Sequence, residues 1–202
     1  MRRTILLLFL LTCPIAHAEP LLEEYYRSVE STGKTDKETI AGFLDRATIQ
    51  GTFSDDSADS LLTSGVIRAA YAKTLGIGGL AELKRARDEL ERSISREPSW
   101  RGGYAKAFLA RLYATVPPWP ISFGNDKRAA KLLSEVLTLV PDSLAGNLYE
   151  GIRRASNREE SIATTHLKLA FQGTLDCECP IWQSTLRDQA IEAMNELAQG
   201  AK

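Results

Sequence analysis

Between residues 80 and 97 every third or fourth position is apolar. Leu80, Leu83, Ala86, Leu90 and Ile94 form one stripe, with Glu82, Lys84, Arg85, Arg87 and Asp88 beside or behind it. A repeat near 3.6 residues marks a helix that buries one face. The same pattern recurs at Ala129, Leu132, Leu133, Val136, Leu137 and Val140, then at Leu144, Leu148, Ile152 and Ala155, and again at Leu186, Ala190, Ile191, Met194 and Leu197. Almost every apolar run after Glu19 has this spacing, and none alternates strictly as a strand would. Start signals agree: Thr35 with Glu38 makes a capping box, and Ser57, Asp126, Asp142 and Asn157 stand where N-caps or first-turn acids belong. Breaks fall near Gly33, 53–56, the flexible connection 76–79, Pro98, 117–124, Pro141 and 177–180. The pattern predicts eight or nine helices and an all-α fold.

These stripes contain a repeat. The second helix of a tetratricopeptide unit carries a small residue, a large apolar one four later, another small one three later, and a helix-ending proline five beyond. The small residues let two helices approach, and the large one fills the gap between them. Ala86, Leu90, Ser93 and Pro98 follow that spacing, as do Ala129, Leu133, Val136 and Pro141, with Val136 slightly large. The family period of about 34 residues carries Ala129 to Ala163, with Leu167 and Ala170 in register and Gly151 where the preceding helix should cross. The first two copies are farther apart than that period by about nine residues. The surplus is 116–124, VPPWPISFG, whose three prolines predict a stiff, extended strap between the two helices of one repeat. Such insertions project from one face of a stack, often the binding face. The expected architecture is a helical bundle, or short α-solenoid, of degenerate tetratricopeptide-like helix pairs.

Composition changes the picture mainly at the start of the chain. Residues 1–18 join two cations, Arg2 and Arg3, to an apolar run and a small-x-small end at Ala16-His17-Ala18, the build of a secretory signal peptide. A single helical domain over 19–202 is expected to remain. A rival reading makes Cys13 a lipidated first residue, since Leu10-Leu11-Thr12-Cys13 loosely resembles a lipobox, although Thr12 fits poorly there. The formal charge of -1 becomes about -3 without Arg2 and Arg3, with both signs interleaved. No basic stripe for nucleic acid is present. No later segment reaches the roughly 20 apolar residues of a spanning helix, so membrane association would come through partners or an anchor at Cys13.

Residues 113–141, YATVPPWPISFGNDKRAAKLLSEVLTLVP, resemble a group of exported tetratricopeptide-like proteins, in which a Pro-Trp-Pro-Ile-x-Phe-Gly strap precedes an acidic or amide pair, here Asn125 and Asp126, and then a repeat helix. They are similar to the T component associated with tripartite ATP-independent periplasmic (TRAP) transporters. The resemblance covers roughly residues 80–197, with the strap its most specific part, and residues 19–79 match only as generic helices. It implies a helical bundle in the periplasm or tethered to a membrane, assisting capture or transfer of small organic or apolar ligands. An envelope transporter or a periplasmic binding protein is then the expected partner.

Enzymatic motifs are missing. Past the signal peptide His166 is the only histidine, so zinc has no His pair and a Ser-His-acid arrangement has little to draw on. There is no G-x-S-x-G elbow, P-loop or dinucleotide fingerprint, and Gly76-Ile77-Gly78-Gly79 follows no strand. Asp55-Asp56 and Glu159-Glu160 read as solvated helix starts. No catalytic residue, cofactor or metal is expected. Cys177 and Cys179 can bond in an oxidising compartment, as a staple ahead of the last helix or as a redox pair.

Aromatic side chains are the more suggestive resource. Tyr104, Phe108 and Tyr113 precede the strap, Trp119 and Phe123 lie within it, and Tyr149 belongs to the next repeat. Each can serve simply to pack strap against helix. Together under a stiffened strap they could wall a pocket for an apolar or amphipathic small molecule, with Trp119 and Phe123 as first contacts. The competing expectation is a scaffold docking a protein partner in an open polar groove. A cavity dominated by Leu, Tyr, Phe and Trp would favour the former.

Overall fold

The computed structural model describes residues 20–32, 36–53 and 57–200. The segment 1–18 expected to be a signal peptide, Cys13, Thr35, the Gly33 break and Asp55-Asp56 lie outside these residues. Among the described residues are nine α-helices and no strand: α1 Leu21–Thr32, α2 Lys37–Phe53, α3 Ala58–Thr74, α4 Leu80–Arg96, α5 Trp100–Thr115, α6 Asp126–Leu139, α7 Leu144–Ser156, α8 Glu160–Gln172 and α9 Pro180–Gly200. The fold is all-α. None of these helices is long and apolar enough to cross a membrane.

Side-chain caps start several helices by filling amide donors that a first turn leaves open. Ser60 N donates to Ser57 Oγ (3.1 Å), Arg128 N to Asn125 Oδ1 (3.0 Å) and Gly146 N to Ser143 Oγ (3.1 Å). Before α2 the cap is Asp36, whose carboxylate accepts from Thr39 N at 2.8 Å. Asp126 is a first-turn acid as expected, but Asp142 precedes the true cap Ser143, and Asn157 closes α7 rather than opening α8. Residues 76–79 form a short 3₁₀ turn instead of a flexible link. In α5 residues 101–103 have positive φ, so regular turns begin at Tyr104.

Helices α3/α4, α5/α6 and α7/α8 pair as hairpins. In each second helix the small-large-small triplet is buried: Ala86, Leu90 and Ser93; Ala129, Leu133 and Val136; Ala163, Leu167 and Ala170. Gly151 lies against Leu167, and a Cβ there would meet Leu167 Cγ at 2.7 Å. Ala129→Leu or Ala163→Leu is therefore expected to overpack a crossing and cost about 1–3 kcal/mol, read as a lowered denaturation midpoint. Midpoints equal to the parent's would remove these alanines from the helix crossings.

The stack does not stay open. Helices α1, α3, α5, α7 and α9 each touch the next in that order, and α9 returns to α1. They form a closed inner ring, with α2, α4, α6 and α8 packed around it. The ring's interior is filled by side chains, Tyr26, Tyr104, Tyr149 and Trp182 among them, all at most 7% exposed. One long-range contact latches the ring: the buried Glu23 carboxylate of α1 accepts from Ile181 N (2.8 Å) and Trp182 N (2.9 Å) in the first turn of α9.

Candidate functional site

The strap folds back on itself rather than running extended. Pro118 O accepts from both Ile121 N and Ser122 N, and Gly124 N returns to Pro117 O at 3.0 Å. This turn aims Trp119 outward, 85% exposed, with Ile121 63% exposed beside it. Phe123 is partly buried, edge-on to Tyr113 at 5.5 Å, with the Arg87 guanidinium over its ring. The Tyr113 hydroxyl donates to Glu91 at 3.1 Å, and burial together with the Glu91 charge pushes this phenol up to about 12. Trp119, expected to wall a pocket, instead faces solvent: the proline-rich turn closes on its own base, and Phe123 serves to hold it there.

Tyr104, Phe108 and Tyr149 come together inside the ring, with ring centroids 5.8 to 6.5 Å apart. Trp182 packs edge-on against Tyr104 at 4.6 Å and stacks on Tyr26 at 5.7 Å. The Tyr26 and Tyr104 hydroxyls are 2.9 Å apart, and those of Tyr104 and Tyr149 are 3.4 Å apart. Burial raises the Tyr26 and Tyr104 phenols above their ordinary range, so both stay protonated. These aromatic residues are core.

One of them leads to a site that sequence reasoning missed. The Arg111 guanidinium sits over the Tyr149 ring at 5.2 Å and near the Phe108 ring at 5.8 Å. The other cations of α5 have acids: Arg101 pairs with Asp59 at 3.2 Å and Lys106 with Glu135 at 3.2 Å. Arg111 makes no ion pair with any described residue. It is only partly exposed, at the base of an open groove of about 640 Å³. Ile152, Ala155, Ala193 and Leu197 give that groove apolar surface, while Lys73, Glu160, Glu192 and Glu196 bring charge to it. It lies at one mouth of the ring, where the C-terminal halves of α3, α5, α7 and α9 gather. A clue was present in the sequence: Arg111 interrupts the otherwise apolar run 107–113, where a helix face should hold no charge.

A second polar cluster is fully paired. Burial opposes the charge on Glu150, yet its hydrogen bonds with Arg153 (2.9 Å) and Arg154 (2.6 Å) outweigh that and hold its carboxyl below the usual range. Arg153 also reaches Asp126, and Arg154 reaches Glu159. His166 Nδ1 lies 3.0 Å from Asn147 Oδ1, and burial lowers its basicity. The Asn147 amide nitrogen already donates to Pro141 O and Ser143 O, so its Oδ1 accepts and His166 Nδ1 carries the proton. Every one of these groups has a partner within the fold, which is a packing role.

Cys177 and Cys179 are bonded to each other, with Cα atoms 5.4 Å apart, just ahead of α9. Among the described residues no three His, Cys, Asp or Glu gather as a metal site would require. Comparison of the sequence with known protein families and with curated proteins finds no match.

Proposed function

We propose that this chain is a non-catalytic binding protein of the bacterial envelope, taking an amphipathic small molecule into the groove at the mouth of the helical ring. The observation that carries this reading is Arg111, a guanidinium without an ion-pair partner among the described residues, beside the apolar side chains of Ile152, Ala155 and Leu197. A groove of this size falls in the range of about 300–1,000 Å³ common for small ligands, and convergent polar groups over an apolar floor suit an amphiphile. The residues 1–18 and the strap's likeness to T components of TRAP transporters support a setting in the periplasm and a role assisting an envelope transporter. Cys13 remains the alternative, a lipid tether. Both proposals are decided by intact mass of the exported protein, where a start at Glu19 supports a free periplasmic form.

A second reading has its own support. The exposed Trp119 and Ile121, held on a turn of prolines, are what a protein partner would grip, because aromatic anchors concentrate binding energy at interfaces. The two readings separate on the groove itself. Mass spectrometry of small molecules carried through purification reports the ligand, and Ala155→Trp is expected to fill the groove and lower their recovery about tenfold or more. Full recovery from a folded Ala155→Trp variant would move the site away from the groove and favour docking through the strap.

A further inference from the structure

We infer that the groove is built for a zwitterion, with Arg111 taking a carboxylate and the glutamates of α8 and α9 taking an ammonium group; this rests on the small-molecule reading above.

The argument starts from the mismatch of charges. Arg111 is always protonated, and its planar fork of donors fits a carboxylate in two parallel hydrogen bonds. Its surroundings give it aromatic faces and the neighbouring phenols of Tyr25, Tyr26, Tyr104 and Tyr149, but no ion pair with a carboxylate among the described residues. The Tyr149 hydroxyl takes one hydrogen bond from the guanidinium, and cation–π contact steadies the charge without neutralising it, so the remaining edge donors are left for an external anion.

A simple anion, however, meets the wrong field. Glu160, Glu192 and Glu196 line the same groove, against Lys73 as the only other cation among the described residues that line it. Glu192 and Glu196 stand one helical turn apart on α9, on one face, and both are exposed to solvent. The last turns of α3, α5, α7 and α9 line this mouth and bring partial negative charge, which the single N-terminus of α8 at Glu160 offsets only in part. A phosphate, with two charges, would be repelled most. A bare amine would leave Arg111 unanswered. A molecule carrying one carboxylate and one ammonium on an apolar body satisfies both halves, with Ile152, Ala155, Ala193 and Leu197 covering its carbon skeleton.

The test uses one eight-carbon body with four headgroup patterns: 2-aminooctanoate, 8-aminooctanoate, octanoate and octylamine, titrated into the full-length exported protein by calorimetry. A charge-assisted hydrogen bond contributes about 1.5–3 kcal/mol, so one zwitterion is expected to bind roughly tenfold or more tighter than octanoate and than octylamine. Which zwitterion wins reports whether the two charges sit close or apart. Arg111→Gln should bring the preferred zwitterion to the level of octylamine while leaving octylamine itself unchanged. Glu192→Gln with Glu196→Gln should bring it to the level of octanoate. Octanoate binding as tightly as both zwitterions, or an affinity for them that Arg111→Gln does not alter, overturns the inference while the small-molecule reading stands. Binding of none of the four overturns both. The headgroup series on the unaltered protein keeps the test valid if Arg111→Gln fails to fold.

Discussion

Glu23→Leu is expected to lower the melting temperature by about 10 °C, the largest loss of any single change considered. Glu23 is 2% exposed, and its two carboxylate oxygens take the Ile181 and Trp182 amides, 158 and 159 residues away in sequence. Leucine fills similar space but accepts nothing. One buried and one part-buried N–H group would then lack partners, at about 1–3 kcal/mol each. For a chain of this size each kcal/mol shifts the midpoint by about 2–4 °C. Glu23→Gln keeps one carbonyl acceptor and should lose roughly half as much. Thermal denaturation followed by circular dichroism decides the matter, and a Glu23→Leu midpoint equal to the parent's would show that the α1–α9 latch contributes nothing.

Gly124→Ala should unlatch the strap. A Cβ at this position would lie 1.9 Å from Val116 O and 2.9 Å from Pro117 O. Both obstacles are backbone, so no side chain can swing aside, and the turn must open. With it go the Gly124 N to Pro117 O bond and the neighbouring Asn125 N to Tyr113 O bond at 2.7 Å. The expected cost is about 3 kcal/mol, the upper end of overpacking. Phe123 should leave Tyr113 at the same time, so limited proteolysis should cut within 116–125 in the variant and not in the parent. Protection equal to the parent's, with an unchanged denaturation midpoint, would mean the turn is held by something other than this close backbone contact.

What was legible in the sequence is what repeats locally. Ala86, Leu90 and Ser93, with their two later copies, announce buried helix faces because their spacing alone decides which side of a helix they share. The closing of the stack was not legible, since Glu23 and Ile181 are far apart in sequence and no periodicity relates them. Prolines 117, 118 and 120 give stiffness but not direction. Only the double acceptance by Pro118 O turns the strap back and leaves Trp119 facing solvent. Asn157 shows a smaller ambiguity: a polar residue between two helices can close one or open the next, and here it closes α7. Arg111 stood in plain view within an apolar run. Its meaning depended on finding Asp59 and Glu135 assigned to other cations, a matter of space rather than order.

The ring also bears on how the chain reaches its native state. In an open repeat stack each hairpin can settle on the one before it, so structure can grow as residues emerge in order. Here α1 has its final neighbour only when α9 arrives, which places a contact of nearly full chain length in the last step. Until then Leu21, Leu22, Tyr25 and Tyr26 lack one wall of their core. A chain delivered from its N-terminus would hold that sticky edge open through most of its emergence, the condition under which a holding chaperone matters most.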